Sequence, residues 1–294
     1  LVNGANGIGT GFSTKIPNYN PKDVIKSLKY LINGDKMKKI HPYYHKFKGT
    51  IKKINATSYE VKGVYKVNGN NIVITELPVG EWTDNYKHYL EKLLDSEANF
   101  TSYNNNSTDE DIHITLKFKK IPKNVDNLLK MSKKLNITDL HAYNSKGAIE
   151  KFKKVEDIIK SYYETRLEGY HKRKEYLLKQ YKFVYELISY KVKFIKEIIK
   201  GTLKINNRKK SLIEEDLINK EYPKMGKDFE DSNKSYDYLL GMNLYNLTKE
   251  KIEELEKQKA EKKALYLKLK ETTPEQLWLN ELEELEEFLE KIKY

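Results

Sequence analysis

Hydrophobic residues along this chain follow two different periods. In PKDVIKSLKYLI, residues 21–32, Val24, Ile25, Leu28, Leu31 and Ile32 recur every three or four positions, and Asn33-Gly34 follows. That spacing predicts an amphipathic helix opening after Asn20 and stopping at the glycine. Between Lys46 and Pro78 the period falls to two. FKGTIKKI, YEVKGVYKV and NNIVITEL read as three β-strands, with Asn68-Gly69-Asn70 as a turn. A second amphipathic helix is expected from Asp84 as N-cap through Tyr86, Tyr89, Leu90, Leu93 and Leu94. The polar tract FTSYNNNSTDED reads as a loop, and DIHITLKF as a fourth strand with Ile112, Ile114 and Leu116 on one face. These elements make an α+β domain that ends near residue 150.

From Phe152 to Lys200 the period lengthens to seven. Tyr181, Ile188 and Ile195 form one such series, Tyr185, Val192 and Ile199 a second, and Tyr170, Leu177 and Val184 a third. A seam of that kind predicts a long coiled-coil helix, roughly 70 Å at a rise of about 1.5 Å per residue, closed by Gly201. Shorter helices and turns fill 202–247, including NNRKKSLIEEDLI. A second long helix starts at Thr248, with Ile252, Leu255, Leu265 and Leu269 as its apolar positions. It is expected to run back antiparallel to the first. The acidic stretch PEQLWLNELEELEEFLEKI forms a last helix with a solvated charged face.

Composition narrows the functional classes. The 294 residues are 33% charged, with a formal net charge of +12, so a polyanion is the first partner to consider. Arginine occurs only at Arg166, Arg173 and Arg208, and lysine suits point-charge contact with phosphates better than bidentate reading of guanine. The alternative is that the lysines only keep the chain soluble. With no cysteine, disulfides, thiolate chemistry and cysteine zinc sites are excluded. His41, His45, His88, His113, His141 and His171 lack ligand spacing, so no metal site is expected. No apolar run is long enough for a bilayer, so no membrane partner is expected.

The segment GANGIGTG carries four glycines in eight residues. A phosphate loop needs Gly-Lys-Ser/Thr at its end, and here Phe12 follows Gly11; the dinucleotide fingerprint fails at Phe12 and Thr14. What remains is Ile8, isolated between Gly7 and Gly9. It either tucks into the core beneath a tight turn or stands out as an apolar wedge of the kind that kinks DNA.

LVNGANGIGTGFSTKIPNYNP resembles the segment of eukaryotic topoisomerase II, a type IIA DNA topoisomerase, that follows the winged-helix domain. The likeness continues in order through FKGTI, VITELPVGEWTDNYKHYLEKL, DIHITLKF, VEDIIKSYYETRLEGYHKRKEYLLKQ, VKFIKEIIKGTLKINNRKKSLIEEDL and YDYLLGMNLYNLTKEKIEEL. Asn6 departs from the family's usual acidic residue, and the stretch between Lys220 and Tyr236 is short where many relatives carry an acidic insertion.

The resemblance implies a wedge segment (1–25), an α+β tower (26–150), antiparallel coiled-coil arms (151–200 and 248–294) and an exit-gate tip (201–247). It implies that Ile8 intercalates into double-stranded DNA, flanked by Gly7 and Gly9; Lys15 beside the wedge, and Lys46, Lys48 and Thr50 in the KFKGT strand, are the candidate phosphate contacts. It carries a DNA-interacting stretch onto Leu187, Ile188, Ser189, Tyr190, Lys191, Val192, Lys193, Phe194, Ile195 and Lys196. It also implies a homodimer gate at Leu239, Leu240, Met242 and Leu244. The family's catalytic tyrosine and metal-binding carboxylates are expected upstream of Leu1. This chain alone is therefore expected to hold no cofactor and to be inactive, while the complete nuclear enzyme would use Mg2+ and ATP. A non-enzymatic basic coiled-coil protein that binds DNA or organises chromatin is the alternative.

Overall fold

The computed structural model describes residues 1–243, 248–292 and 294. The chain divides into two compact units, Leu1–Tyr163 with Glu284–Tyr294, and Glu164–Glu283.

In the first unit, strands β1 (Ala5–Gly9) and β2 (Phe12–Ile16) form a hairpin, followed by helix α1 (Pro21–Ile32). Asn20 caps α1 by accepting the Lys22 N–H at 2.9 Å, with Pro21 opening the helix. Two antiparallel sheets come next. Strands β3 (Thr50–Lys53), β4 (Ser58–Lys62) and β9 (Ser132–Asn136) form one in that order. Strands β5 (Val64–Asn68), β6 (Asn71–Glu76), β8 (Ile114–Phe118) and β7 (Phe100–Asn105) form the other, in the order β5-β6-β8-β7. Helix α2 (Thr83–Ser96) covers the four-stranded sheet. Tyr86, Leu90 and Leu93 pack on Ile72, Ile74, Ile114, Leu116 and Phe118 to make the main core. The Tyr86 hydroxyl, unable to reach water, donates to the Leu129 carbonyl at 2.8 Å. Helix α3 (Val125–Leu128) and a small hairpin, β10 (His141–Tyr143) and β11 (Ile149–Lys151), complete the unit before helix α4 (Val155–Ile199) begins.

Several expectations shift. YEVKGVYKV is two strands, broken at Gly63. A Cβ there would lie 2.4 Å from the Glu76 carbonyl oxygen and 2.7 Å from Met131 Cε, so only glycine lets the backbone pass between sheets. FTSYNNNSTDED contains strand β7, and Trp82 rather than Asp84 stands at the N-cap of α2.

In the second unit α4 pairs with helix α7 (Lys249–Glu271), capped by Thr248, whose hydroxyl accepts the Lys251 N–H. Lys196 contacts Glu256, Lys259 lies over the Tyr185 ring, and Lys174 reaches the Lys270 carbonyl, so the two helices run antiparallel. Ile188, Val192, Ile195 and Leu255 form the seam, whereas Leu265 is exposed. Helix α8 (Pro274–Lys291) stacks Trp278 on Tyr170 at 5.3 Å. Between α4 and α7, helices α5 (Lys210–Asn219) and α6 (Asp237–Leu240) gather Phe194, Leu203, Leu217, Tyr222, Tyr236 and Leu239 into a second core. The mixed α+β fold with a long antiparallel helical pair is the class expected from the sequence.

Candidate nucleic-acid interface

The glycine segment is the β1–β2 hairpin. Gly9 pairs with Phe12 across a two-residue turn in which Gly11 takes φ +82°, a conformation that favours glycine. Pairing of Ile8 with Ser13 and Asn6 with Lys15 sets these four residues on one face, and Thr14 and Phe12 on the other. The second face is anchored. The Thr14 hydroxyl donates to the His141 carbonyl at 2.7 Å, the Lys15 N–H to the Asp139 carbonyl at 2.8 Å, and Phe12 sits edge-on to His141.

Ile8 is 93% exposed, so the reading that buried it beneath the turn is wrong. Full burial of such a side chain is worth about 1.5–3 kcal/mol, so its exposure is not explained by the stability of this chain. Gly7 and Gly9 have ordinary φ, and a Cβ on either meets nothing closer than 3.8 Å. The fold does not require glycine at these two positions. Their effect is to leave a thin ribbon around Ile8. Lys15 is exposed.

Lys46 and Lys48 precede the strand they were expected to occupy. Lys46 turns the chain with φ +62°, and Gly49 packs where a Cβ would lie 2.1 Å from the Lys62 carbonyl oxygen. Lys48 pairs with Asp111 at 2.5 Å. That hydrogen bond holds the Asp111 carboxyl below, and the Lys48 ammonium above, its ordinary pKa. Thr50 is exposed on edge strand β3. Cross-strand register aligns Thr50 with Lys62 and Ser132, and Lys52 with Glu60 and Lys134. The result is a polar, lysine-bearing sheet face opposite the buried Tyr59 and Val61. Lys52, Ser132 and Lys134 were missed by sequence reasoning. The signal was the alternation of Met131, Lys133, Leu135 and Ile137.

The stretch 187–196 takes a packing role instead of forming an open basic surface. Ile188, Val192, Phe194 and Ile195 are buried. Leu187 is half-buried, Tyr190 tilts against Tyr222, and the Ser189 hydroxyl donates back to the Tyr185 carbonyl. Lys193 donates to the Lys220 carbonyl at 2.8 Å and lies over the Tyr222 ring, and Lys196 pairs with Glu256. Burial, and then the nearby Lys251, pulls the Lys191 ammonium below its ordinary pKa. At the expected gate, Leu239 is 1% exposed inside its own chain's second core, so it offers no surface to another copy. Leu240 and Met242 are half-buried against that core, and Leu244 lies outside the described residues.

Among the described residues no three His, Asp or Glu side chains cluster as a metal site. Among them, too, no helix is long and apolar enough to cross a membrane.

The first unit thus carries a lysine-faced sheet and a hairpin bearing an exposed isoleucine. Comparison with known proteins supplies the family. The family model for the A subunit of DNA gyrase/topoisomerase IV matches residues 1–283, and the chain belongs to that family. DNA topoisomerase 2 of Plasmodium falciparum is 34% identical over 99% of this chain, as is that of Arabidopsis thaliana. The chain spans 23% of the length of each. The crystal structure of the Plasmodium falciparum topoisomerase II DNA-binding, cleavage and re-ligation domain superposes with a TM-score of 0.87 at 33% identity. The match covers 100% of this chain and 44% of that one.

Proposed function

We propose that this chain grips and bends double-stranded DNA as part of an ATP-dependent type II topoisomerase, which passes one duplex through a transient double-strand break in another. The observation that carries the reading is Ile8, exposed at a thin glycine-flanked hairpin that Thr14 and Lys15 fix to the body. Inserting an apolar wedge offsets part of the unstacking cost of a kink, a few kcal/mol per step. Lysine–phosphate contacts from Lys15, Lys46, Lys48, Lys52 and Lys134 supply affinity through counterion release. Lys48 can exchange the Asp111 carboxylate for a phosphate because their pair is exposed. Membership of the topoisomerase family disfavours the non-enzymatic chromatin protein.

Within this proposal the cleavage tyrosine, the Mg2+-binding carboxylates and the ATP site belong to other parts of the complete nuclear enzyme. The chain alone then binds DNA without cutting it. Residues 201–247 are assigned to a two-fold gate between copies, through surface outside the Leu239 core. Fluorescence anisotropy with a short duplex tests the first part. Binding should be independent of sequence and fall linearly with log salt, and affinity unchanged at high salt would refute it. Sedimentation across micromolar concentrations tests the gate, which fails if the chain is monomeric throughout.

A further inference from the structure

The first unit holds a cavity of about 200 Å3 for which the proposed function has no role. Lys53 at the end of β3 lines it, with Lys39 and with Lys153 and Lys154, the two residues before α4. Among the described residues none of these four lysines forms an ion pair. Val155 and Glu156 of the first turn of α4 also contribute. That turn begins a 45-residue helix, whose leading N–H groups carry partial positive charge.

A second, independent feature points to an occupant. Tyr19 lines the same cavity, is 1% exposed, and its hydroxyl has no hydrogen-bond partner among the described residues. The neighbouring Tyr59 hydroxyl is already engaged, 2.8 Å from His41 Nδ1. The Tyr19 oxygen is not among the sealed, unpartnered side-chain atoms of the core, so it opens onto the cavity, where a ligand or solvent can accept its hydrogen bond. The cavity's one carboxylate, Glu156, is turned to the backbone, accepting the Ile40 N–H at 3.4 Å. The lining is therefore strongly cationic, and the Tyr59 and Thr57 hydroxyls are engaged with His41 and Asn55.

We propose that this cavity binds a phosphate group, held by Lys39, Lys53, Lys153 and Lys154 and oriented by the Tyr19 hydroxyl. Burial, reinforced by the neighbouring Tyr59 and Glu156, holds the Tyr19 phenol far above its ordinary pKa, so it stays a donor. The phosphate can be a free anion or one borne by a DNA backbone. The proposal rests on the cavity alone and does not depend on the wedge role of Ile8.

Isothermal titration of the whole chain with inorganic phosphate tests it. Saturable binding at one site per chain is expected. Lys153→Gln combined with Lys154→Gln should weaken it about tenfold or more, and Tyr19→Phe should weaken it less. Glu156→Gln keeps the acceptor for Ile40 and removes the opposing charge, so it should tighten binding, a gain that misfolding cannot mimic. Phosphate added to a complex with labelled duplex separates the sources. Displacement from the wild type but not from the double variant assigns a backbone phosphate, while an undisturbed duplex assigns a free anion; either upholds the site. Absence of saturable binding, or binding indifferent to all these variants, overturns it.

Discussion

Replacing Leu239 with alanine removes a side chain that is 1% exposed among Phe194, Leu203, Leu217, Tyr222 and Tyr236. Leu→Ala substitutions at enclosed sites cost about 2–5 kcal/mol, depending on how far the surroundings collapse. Tyr236 is tied by its hydroxyl to the Tyr222 carbonyl at 3.0 Å, and Tyr238 to the Pro223 carbonyl at 2.9 Å. These anchors resist collapse, so a loss of roughly 3 kcal/mol is expected. With an unfolding entropy of about 2.1 cal/mol/K per residue, the unit Glu164–Glu283 should lose roughly 12 °C in Tm. Circular dichroism melts at several protein concentrations would measure it. If Leu239 instead served only as a meeting point between copies, the alanine would weaken association and barely move the melt of dilute chain. A shift below about 3 °C would refute the burial argument.

Further outcomes follow from other interactions. Gly63→Ala sets a Cβ 2.4 Å from the Glu76 carbonyl oxygen, and urea unfolding should show a loss of about 1–3 kcal/mol. The Lys62 ammonium hydrogen-bonded to Asp126 holds that carboxyl below its ordinary pKa. Its stabilising effect is therefore present above about pH 3.9 and lost as pH falls through the lower folded value, and the stability gap between wild type and Asp126→Asn should close over that interval. Lys52→Glu with Lys134→Glu should reduce the salt slope of duplex binding by about 0.9 for each phosphate no longer neutralised, read by anisotropy.

Helices were legible wherever one face had to be apolar. The periodic positions of α1 and α2, and the seam Ile188, Val192 and Ile195 of α4, are all buried or half-buried. Strands whose sheet leaves one side to solvent gave weaker signals. In β7 only Phe100 is fully buried and Tyr103 half-buried, so TSYNN reads as loop; in β9 Leu135 is the one apolar residue. The β1–β2 hairpin was hidden by its own glycines, because β1, exposed throughout, has no alternation to detect. Charge composition does not say which face of a helix is covered, and the chain folds Lys193 and Lys196 onto Lys220 and Glu256. The exposure of Ile8 could not be read from residue types, since both a tucked and a protruding isoleucine suit GANGIGTG.

At the centre of the proposed function, Ile8 deforms the duplex that lysines hold. Smooth bending of a short site costs roughly 1–6 kcal/mol, and phosphate contacts carry most of the affinity, so wedge and grip are separable. A fluorescence resonance energy transfer bend assay on an end-labelled duplex, comparing wild type with Ile8→Ala, tests this most directly. The account predicts a duplex that stays bound with affinity changed by no more than about tenfold yet straightens in the variant. A bend angle unchanged by Ile8→Ala would contradict it.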